Sequence, residues 1–289
     1  MADPLARAQD PDSLRAAVAG WRRAGERIAF VPTMGALHAG HLSLVRVARE
    51  SADRVVTSIF VNPTQFGPGE DLGRYPRTVD EDCRQLEGEG CDLVFLPEVH
   101  HVYPPGCQTR VEIEGPSRGF EGAERPGHFS GVATVVLALF QLVRPDVAVF
   151  GQKDAQQLAV IRRIVRDLHL GIEIVGAPIV REPDGLALSS RNIYLDSGQR
   201  RAAWVLSRSL QQAKHAIEAG ERSADAVRQT VRRILETEPS GSIDYVGVVD
   251  ADTFEPLDRL RGAVVLPVAV RFGSTRLLDN LRIEIEPSG

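Results

Sequence analysis

The chain has 289 residues, of which 43% are hydrophobic and 25% are charged, and this balance excludes general disorder and a fibrous repeat. Since its length is about twice the ~150-residue prior for one domain, we expect two domains or one large α/β unit. The formal net charge of −5 argues against a nucleic-acid partner, because such proteins normally carry a basic surface.

Targeting and redox signals are weak throughout the chain. Residues 131–143 form the longest nearly apolar stretch, which is too short to span a bilayer. The first ten residues carry charge and proline in place of an apolar signal segment, so we expect a cytoplasmic protein with no membrane partner. The three cysteines, Cys83, Cys91 and Cys107, lack disulfide or metal-ligand spacing and are interpreted as packing residues.

The first half of the chain alternates strand and helix patterns. A short apolar run at 28–31, a helical spacing at 42–48 and a second apolar run at 55–61 predict a βαβ unit with parallel strands. An acidic helix at 79–87 and a strand at 92–96 are predicted to follow.

A second strand-loop-helix unit repeats this pattern further along. Ser130 is predicted to cap a helix through residue 143, and Asp154 to cap a helix that follows a strand at 147–150. With a last strand at 172–175, these elements predict a doubly wound α/β domain, whose ligand should bind at the carboxyl ends of the strands.

Beyond residue 182 the order changes to helices and then strands. Two helices and three strands predict an α+β domain, so we divide the chain into residues 1–182 and 183–289. The helices are placed at 198–219 and 223–236, and the strands at 243–249, 263–270 and 281–285. Residues 114–129 are glycine-rich and lack periodicity, which is typical of a functional lid or a disordered loop.

The first candidate site is residues 31–41, between the end of a predicted strand and the start of a predicted helix. His38 and His41 are three residues apart with Gly40 between them, so both rings can face a ligand over the helix N-terminus, where N–H groups favour phosphate. Metal ligation lacks a nearby third ligand, and plain helix capping is a second interpretation.

The second candidate site, residues 150–157, occupies the matching position in the second unit. Lys153 can neutralise phosphate charge, and Asp154 can accept hydrogen bonds from ribose hydroxyls or cap its helix. Gln157 can point back to the same crevice from one turn further on. A solvated loop before a capped helix is the alternative interpretation.

Two further segments carry weaker signals. Residues 184–192 contain two serines beside an arginine, which suits a polyphosphate or an ordinary surface loop. Residues 60–66 contain two amides that can bind hydroxyls and a carboxylate or form an Asn-Pro turn. The acidic side chains of the predicted helix at 79–87 are interpreted as a face exposed to solvent. The residues concerned are Ser189, Ser190, Arg191, Asn62 and Gln65, with Glu81, Asp82 and Gln85 on the acidic helix and Arg125 and His128 in the long loop.

Taken together, six ordered segments closely resemble the pantoate–β-alanine ligase family. The segments are PTMGALHAGH, SIFVNPTQF, DLGRYPRT, RPGHFSGVATVV, FGQKDAQQLAVIRR and DGLALSSRNIYL, and a weaker resemblance continues to LLDN at 277–280. The HAGH element alone is shared by the wider HxGH adenylate-forming nucleotidyltransferase superfamily. The resemblance implies a Rossmann-like first domain, a smaller second domain that closes over the site, and a homodimer.

The resemblance also implies a reaction and a set of site residues. The family joins pantoate to β-alanine with ATP and Mg²⁺ through a pantoyl adenylate, releasing AMP and pyrophosphate. His41 takes the position of a proton donor, with His38 and Lys153 beside it in the catalytic set. The positions that match ATP contacts are Met34, Gly35, Ala36, Leu37, His38, Ala39, Gly40, His41, Gly151, Gln152, Lys153, Asp154, Val180, Leu188, Ser189, Ser190 and Arg191. Those assigned to substrate are Gln65, Gln157 and Asn62, whereas the metal ligands stay unknown.

Two other functions remain open on the residues alone. A nucleotidyltransferase could stop after transferring AMP or CMP to a phosphate acceptor, although the amides of Gln65 and Gln157 favour a hydroxy acid. A nucleotide-binding regulatory module without turnover is the alternative from another class, against which the retention of Lys153 and both histidines argues.

Overall fold

Six parallel strands form the sheet of the first part of the chain, in a computed structural model that describes residues 5–286. The strands lie in the order β1-β4-β3-β2-β5-β6. Their inner members are buried almost throughout, as expected for a parallel sheet covered on both faces. Their bounds are β1 Ala6–Ala8, β2 Ile28–Thr33, β3 Arg54–Ile59, β4 Leu93–Phe95, β5 Val147–Gly151 and β6 Glu173–Ala177.

Between these strands, the described part of the chain contains seven α-helices. They are α1 Pro11–Arg23, α2 Ala39–Ser51, α3 Val79–Gly88, α4 Val99–Val102, α5 Phe120–Glu124, α6 His128–Val143 and α7 Ala155–Asp167. Short 3-10 turns lie at Pro63–Gln65, Asp71–Arg74 and Gln152–Asp154. Neither β1 nor α1 is among the predicted elements, although α1 has a strong start, with Asp10 as its side-chain cap and proline in its first turn.

The strand order places a topological switch beside the first candidate site. β2 pairs with β3 on one side and with β5 on the other, and all of these pairs are parallel. The predicted βαβ unit and the doubly wound α/β class are therefore confirmed. Because ligands of such folds bind outside the carboxyl ends of the strands at the switch, the segments that follow β2 and β5 are the expected site.

Antiparallel strands and three helices form the later part of the chain as far as residue 286. The strands are β7 Gly241–Val246, β8 Val249–Asp250, β9 Gly262–Phe272 and β10 Thr275–Ile285, with β9 between β7 and β10. The helices are α8 Ser197–Ala202, α9 Trp204–Glu218 and α10 Ala224–Leu235, so the helix predicted over 198–219 is two helices that meet at Ala203. The predicted smaller α+β unit is confirmed.

The chain divides into two compact units. One holds the residues up to Gln152 together with Val160–Pro178, and the other holds Lys153–Ala159 together with the residues from Ile179 onward. Each unit has its own buried apolar cluster. The division after residue 182 stays a prediction.

The structure differs from three of the expectations from sequence. The cap of α6 is Gly127, and Ser130 lies inside that helix, where its hydroxyl donates to the Val111 carbonyl and to Glu112. The stretch 114–129 includes α5 and the start of α6, so it is partly helical. Cys83 and Cys91 are buried as packing residues, but Cys107 is exposed.

Among residues 5–286, none of the helices has the length and apolar character needed to cross a bilayer. Residues 1–4, which belong to the amino-terminal segment that the sequence analysis considered for targeting, lie outside the described part.

Candidate functional site

The loop that follows β2 turns sharply before α2 begins. Gly35 and Ala36 both have positive φ angles, of 82° and 51°, and the left-handed conformation is unusual for alanine. Thr33 at the end of β2 secures the entry to this turn, since its hydroxyl donates to the Ser58 carbonyl on β3 and accepts the N–H of Gly35. The turn places residues 36–41 over the carboxyl end of the sheet.

A buried carboxylate holds the same turn. Asp82 on α3 is 1% exposed, and its two oxygens accept the backbone N–H groups of Ala36 at 3.0 Å and Leu37 at 2.9 Å. The hydroxyl of Thr78 also donates to this carboxylate. The prediction of a solvated acidic face was wrong for Asp82, although Glu81 on the same helix does pair at the surface with Arg84.

Both histidines of the loop cap α2. The Nδ1 of His38 accepts the N–H of Gly40, and the Nδ1 of His41 accepts the N–H of His38. The ring centroids are 4.1 Å apart. Because Nδ1 is an acceptor in both rings, the neutral tautomer of each carries its proton on Nε2. Capping and ligand binding are therefore compatible, because Nδ1 of each ring accepts a hydrogen bond at the start of α2 and Nε2 carries a proton that can be donated to a ligand.

Gln65 belongs to a small polar cluster after β3. Its amide nitrogen lies 3.1 Å from the Met34 sulfur, and its Oε1 accepts a hydrogen bond from the amide of Asn62. Asn62 is almost fully buried and also accepts from the hydroxyl of Tyr103 at 2.8 Å. The two predicted substrate residues Asn62 and Gln65 therefore lie together, and Gln65 contacts Met34, a predicted ATP position.

Close backbone packing fixes the 3-10 turn that carries Gln65. A Cβ atom at Gly131 on α6 would lie 2.3 Å from the Thr64 carbonyl oxygen and 2.7 Å from the Gln65 Cα. Asn62 reaches the same helix, because its amide donates to the Gly131 carbonyl. Only glycine permits this approach. Gly131 belongs to the segment RPGHFSGVATVV, but the sequence does not show that it packs against the turn that carries Gln65.

Arg125 and His128 support Gln65 from the other side. The guanidinium of Arg125 makes two hydrogen bonds to Glu70, at 2.6 and 2.7 Å, and a longer one to the Gln65 carbonyl. The Nδ1 of His128 lies 2.9 Å from the same carbonyl oxygen. Burial of the Glu70 carboxyl group disfavours its ionisation, but the hydrogen bonds and charge of Arg125 outweigh that effect and lower the pKa of Glu70.

The ion pair between Glu70 and Arg125 should make the free energy of unfolding depend on pH. Since the pKa of Glu70 is lower in the folded than in the unfolded chain, its ionisation stabilises the fold at neutral pH, and this contribution is lost as the pH falls through the lowered pKa. We expect Glu70→Gln to reduce the free energy of unfolding by roughly 1.5–3 kcal/mol at pH 7 and by much less in strong acid. Urea denaturation over a pH series measures this difference.

Glu218→Gln is the matched control for that series. Glu218 pairs with Lys214 on the exposed surface of α9, and such pairs contribute little. A Glu70→Gln deficit that stays constant down to strong acid would contradict the ionic explanation.

A cavity of about 640 Å³ adjoins the loop inside the first unit. It lies at the carboxyl ends of β2, β3 and β4, and its lining combines apolar side chains with a few polar ones. Its lining includes Met34, Gly35, Phe60, Asp82 and Tyr103. Mostly apolar walls with a few polar groups are typical of small-molecule sites.

The second candidate segment belongs to both units. Gly151 ends β5 and Gln152 donates its side-chain amide to the Gly176 carbonyl on β6, both within the first unit. Lys153, in the second unit, has a side chain that is 21% exposed, and its Nζ lies 3.5 Å from Asp154 Oδ1. Gln157 follows in the first turn of α7 and is half-buried.

A hairpin in the second unit brings two predicted ATP positions side by side. The N–H of Leu188 donates to the Val180 carbonyl at 2.9 Å, and Arg181 pairs with Ala187. Gly185 at the turn has a φ of 94°, and a Cβ there would lie 2.8 Å from the hydroxyl of Ser207. The hairpin therefore brings two positions that are eight residues apart in sequence next to each other.

The serine pair and its arginine begin the next 3-10 turn, Ser190–Tyr194. Ser189 caps this turn by accepting the N–H of Arg191. Asn192 ties the turn to the hairpin, because its amide donates to Glu182 and to the Ala187 carbonyl. Asn192 is the last residue of the predicted segment 184–192 but had no predicted role of its own, and Glu182 lies outside that segment.

Comparisons with known proteins agree on one family. The family model described as pantoate-beta-alanine ligase matches residues 7–282. The chain is 54% identical to pantothenate synthetase of Heliobacterium modesticaldum over 263 residues, which are 91% of this chain and 94% of the relative. It is 50% identical to that of Acetivibrio thermocellus over 272 residues, 94% and 97% of the two chains.

Solved structures give the same answer. A pantothenate synthetase of Thermus thermophilus matches with a TM-score of 0.90 and 47% identity, covering 96% of this chain and 99% of that one. A pantoate-beta-alanine ligase of Francisella tularensis, in complex with "Beta-gamma ATP" and β-alanine, matches with a TM-score of 0.78 and 32% identity, over 96% and 97% of the two chains.

Proposed function

This chain belongs to the pantoate-beta-alanine ligase family, and from that premise we propose how its residues carry out the ligation. The enzyme condenses pantoate with β-alanine in a reaction driven by ATP, releasing AMP and pyrophosphate. The observation that supports this assignment best is the agreement of the family match over residues 7–282 with the loop of His38 and His41 after β2.

In the first step the pantoate carboxylate attacks the α-phosphorus of ATP, and pyrophosphate leaves. A carboxylate is already ionised at pH 7, so the step needs charge neutralisation and alignment more than it needs a base. The Nε2–H donors of His38 and His41 and the ammonium of Lys153 supply these, and His41 serves as a proton donor. In the second step the amine of β-alanine attacks the acyl carbon, and AMP leaves.

The ATP contacts follow the two predicted segments and the hairpin. Backbone N–H groups at the start of α2 favour a phosphate there. The residues assigned to ATP are Met34, Gly35, Ala36, Leu37, His38, Ala39, Gly40, His41, Gly151, Gln152, Lys153, Asp154, Val180, Leu188, Ser189, Ser190 and Arg191. The hydrogen bond from Leu188 to Val180 and the cap that Ser189 provides support a shared role for the last five.

Mg²⁺ is the expected cofactor and would neutralise charge on the triphosphate. Within residues 5–286 no three His, Cys, Asp or Glu side chains group as a metal site. Mg²⁺ that binds together with a nucleotide would be held by phosphate oxygens, water and one or two carboxylates, and would not require such a group. A homodimer and a cytoplasmic location complete the proposal.

Pantoate is assigned to Gln65 and Gln157, with Asn62 beside Gln65. If these amides bind pantoate, alanine at Gln65 or Gln157 leaves polar groups of the bound substrate unpaired, at roughly 1–3 kcal/mol per group. We expect a rise of about 5- to 150-fold in the KM for pantoate, with little change in ATP binding. Steady-state kinetics and ATP titrations measure both effects.

Gln141→Ala is the matched control, because Gln141 is an exposed glutamine on α6. It should leave both constants unchanged. Equal losses of ATP and pantoate affinity in Gln65→Ala or Gln157→Ala, with the fold intact, would show that these positions are misassigned.

A product assay with ATP, pantoate and β-alanine tests the function as a whole. We expect one pantothenate and one AMP for each ATP consumed. Transfer of AMP to a phosphate acceptor without amide formation would favour a nucleotidyltransferase, and binding of ATP without turnover with any acid would favour a regulatory module.

A further inference from the structure

Two buried polar residues on β10 have no place in the function described so far. Asp279 and Asn280 belong to the LLDN segment and are 2% and 3% exposed. Successive residues of a strand point to opposite faces of the sheet, so polar groups are enclosed on both faces of β10 at this point. Buried polar side chains are costly unless they are hydrogen-bonded, so their partners indicate what they do.

Asn280 bonds directly to the backbone of Lys153. Its Nδ2 donates to the Lys153 carbonyl oxygen at 2.8 Å, across 127 residues of sequence, and both residues belong to the second unit. That carbonyl lies in the 3-10 turn Gln152–Asp154, immediately before α7. The amide of Asn280 therefore fixes the backbone from which the Lys153 side chain projects.

Asp279 fastens the hairpin that holds two other ATP positions. Its carboxylate, with no exposed side-chain surface, accepts two hydrogen bonds from Arg181, at 2.7 and 2.9 Å. The same guanidinium donates to the Gly185 carbonyl at the hairpin turn and to the Asn280 carbonyl. Adjacent residues of one strand thus hold Lys153 on one side and the Val180–Leu188 hairpin on the other.

We propose that Asn280 is a positioning residue, which acts through Lys153 by fixing the turn that carries it. This inference rests on the role proposed for Lys153 in adenylation. An ammonium that must follow phosphate charge needs a fixed starting point, and a misplacement of about 1 Å can slow a reaction by roughly 100-fold. The amide is suited to this position because it donates to a carbonyl oxygen without adding charge beside the ammonium.

A double-mutant cycle between Asn280 and Lys153 tests the proposal. We expect Asn280→Ala to slow single-turnover formation of pantoyl adenylate by roughly 10- to 100-fold. In the Lys153→Ala background the same substitution should add less than about 3-fold, because the group that it positions is gone. A purely structural role would instead slow both backgrounds by the same factor, and that result would overturn the proposal.

Further variants separate positioning from folding. Asn280→Asp keeps the shape but turns an oxygen toward the Lys153 carbonyl, and it should be at least as slow as Asn280→Ala. Asp244→Asn is the matched control, since Asp244 is a mostly buried carboxylate of the same sheet that pairs with Arg271 and Arg276. It should lower the melting temperature without slowing adenylation. If neither Asn280 variant folds, Asn280→Ser is carried through the cycle, and failure of all three to fold would assign Asn280 to folding and overturn positioning.

The proposed function is checked separately in the same experiment. The unsubstituted protein must form pantoyl adenylate from ATP and pantoate, and its failure to do so would reject the function. If it succeeds and Asn280→Ala matches its rate, only the positioning role is rejected.

Discussion

Lys153→Arg is expected to fold normally and yet slow pantoyl adenylate formation by roughly 10²-fold or more, on the scale of losing one preorganised transition-state donor. The chain contains 34 basic residues, and Lys153 and Lys214 are the only lysines among them. The Lys153 side chain is 21% exposed, so a planar guanidinium cannot simply extend into solvent there. Lys153→Ala should be at least as slow. Rapid-quench single-turnover measurements, with circular dichroism as a check of folding, give both rates.

Lys214→Arg is the control within the same chain. The Lys214 Nζ lies 3.7 Å from Glu218 on the exposed face of α9, a distance similar to the 3.5 Å between Lys153 and Asp154. It should tolerate arginine without a kinetic effect. A Lys153→Arg enzyme within a few-fold of the unsubstituted rate would show that positive charge alone suffices at this position.

Asp82→Asn is expected to lower activity through the loop that follows β2. An asparagine of the same shape has only one acceptor oxygen, so the N–H of either Ala36 or Leu37 loses its partner. An unsatisfied buried donor costs roughly 1–3 kcal/mol, and Ala36 is already in a strained left-handed conformation. We expect the loop to shift and kcat/KM for ATP to fall by about 5- to 150-fold.

Asp80→Asn on the same helix separates this effect from a change in net charge. The Asp80 side chain is 92% exposed and pairs only loosely with Arg7, so its replacement should leave kcat/KM unchanged. Equal activity of the two variants would mean that Asp82 does not hold the loop.

Local patterns predicted much of the fold and the composition of the candidate site. Each of these patterns lies within about a dozen consecutive residues. They are the apolar runs of β2, β3 and β5 and the helical spacing of α2 and α7, and the structure has all of these elements. Ser130 shows the limit of such reasoning, because glycine with a positive φ begins α6 three residues earlier.

The supporting residues of the site could not be predicted from local patterns. Asp82 reaches the loop from 46 residues away, and Asn280 reaches Lys153 from 127 residues away. In sequence, Asp82 is one of several acidic residues on an amphipathic helix, and nothing nearby marks it as buried. Only the tertiary fold, which brings α3 under the loop and β10 beside the Lys153 turn, gives these side chains a role.

The most direct test of the central claim is the exchange of labelled pyrophosphate into ATP without β-alanine. If pantoate is activated as an adenylate, pyrophosphate release is reversible before the amine binds, so exchange should require pantoate, ATP and magnesium and nothing more. We expect exchange to be abolished when pantoate is omitted and to be strongly reduced in Lys153→Ala. Exchange that appears only when β-alanine is present would contradict the two-step reaction.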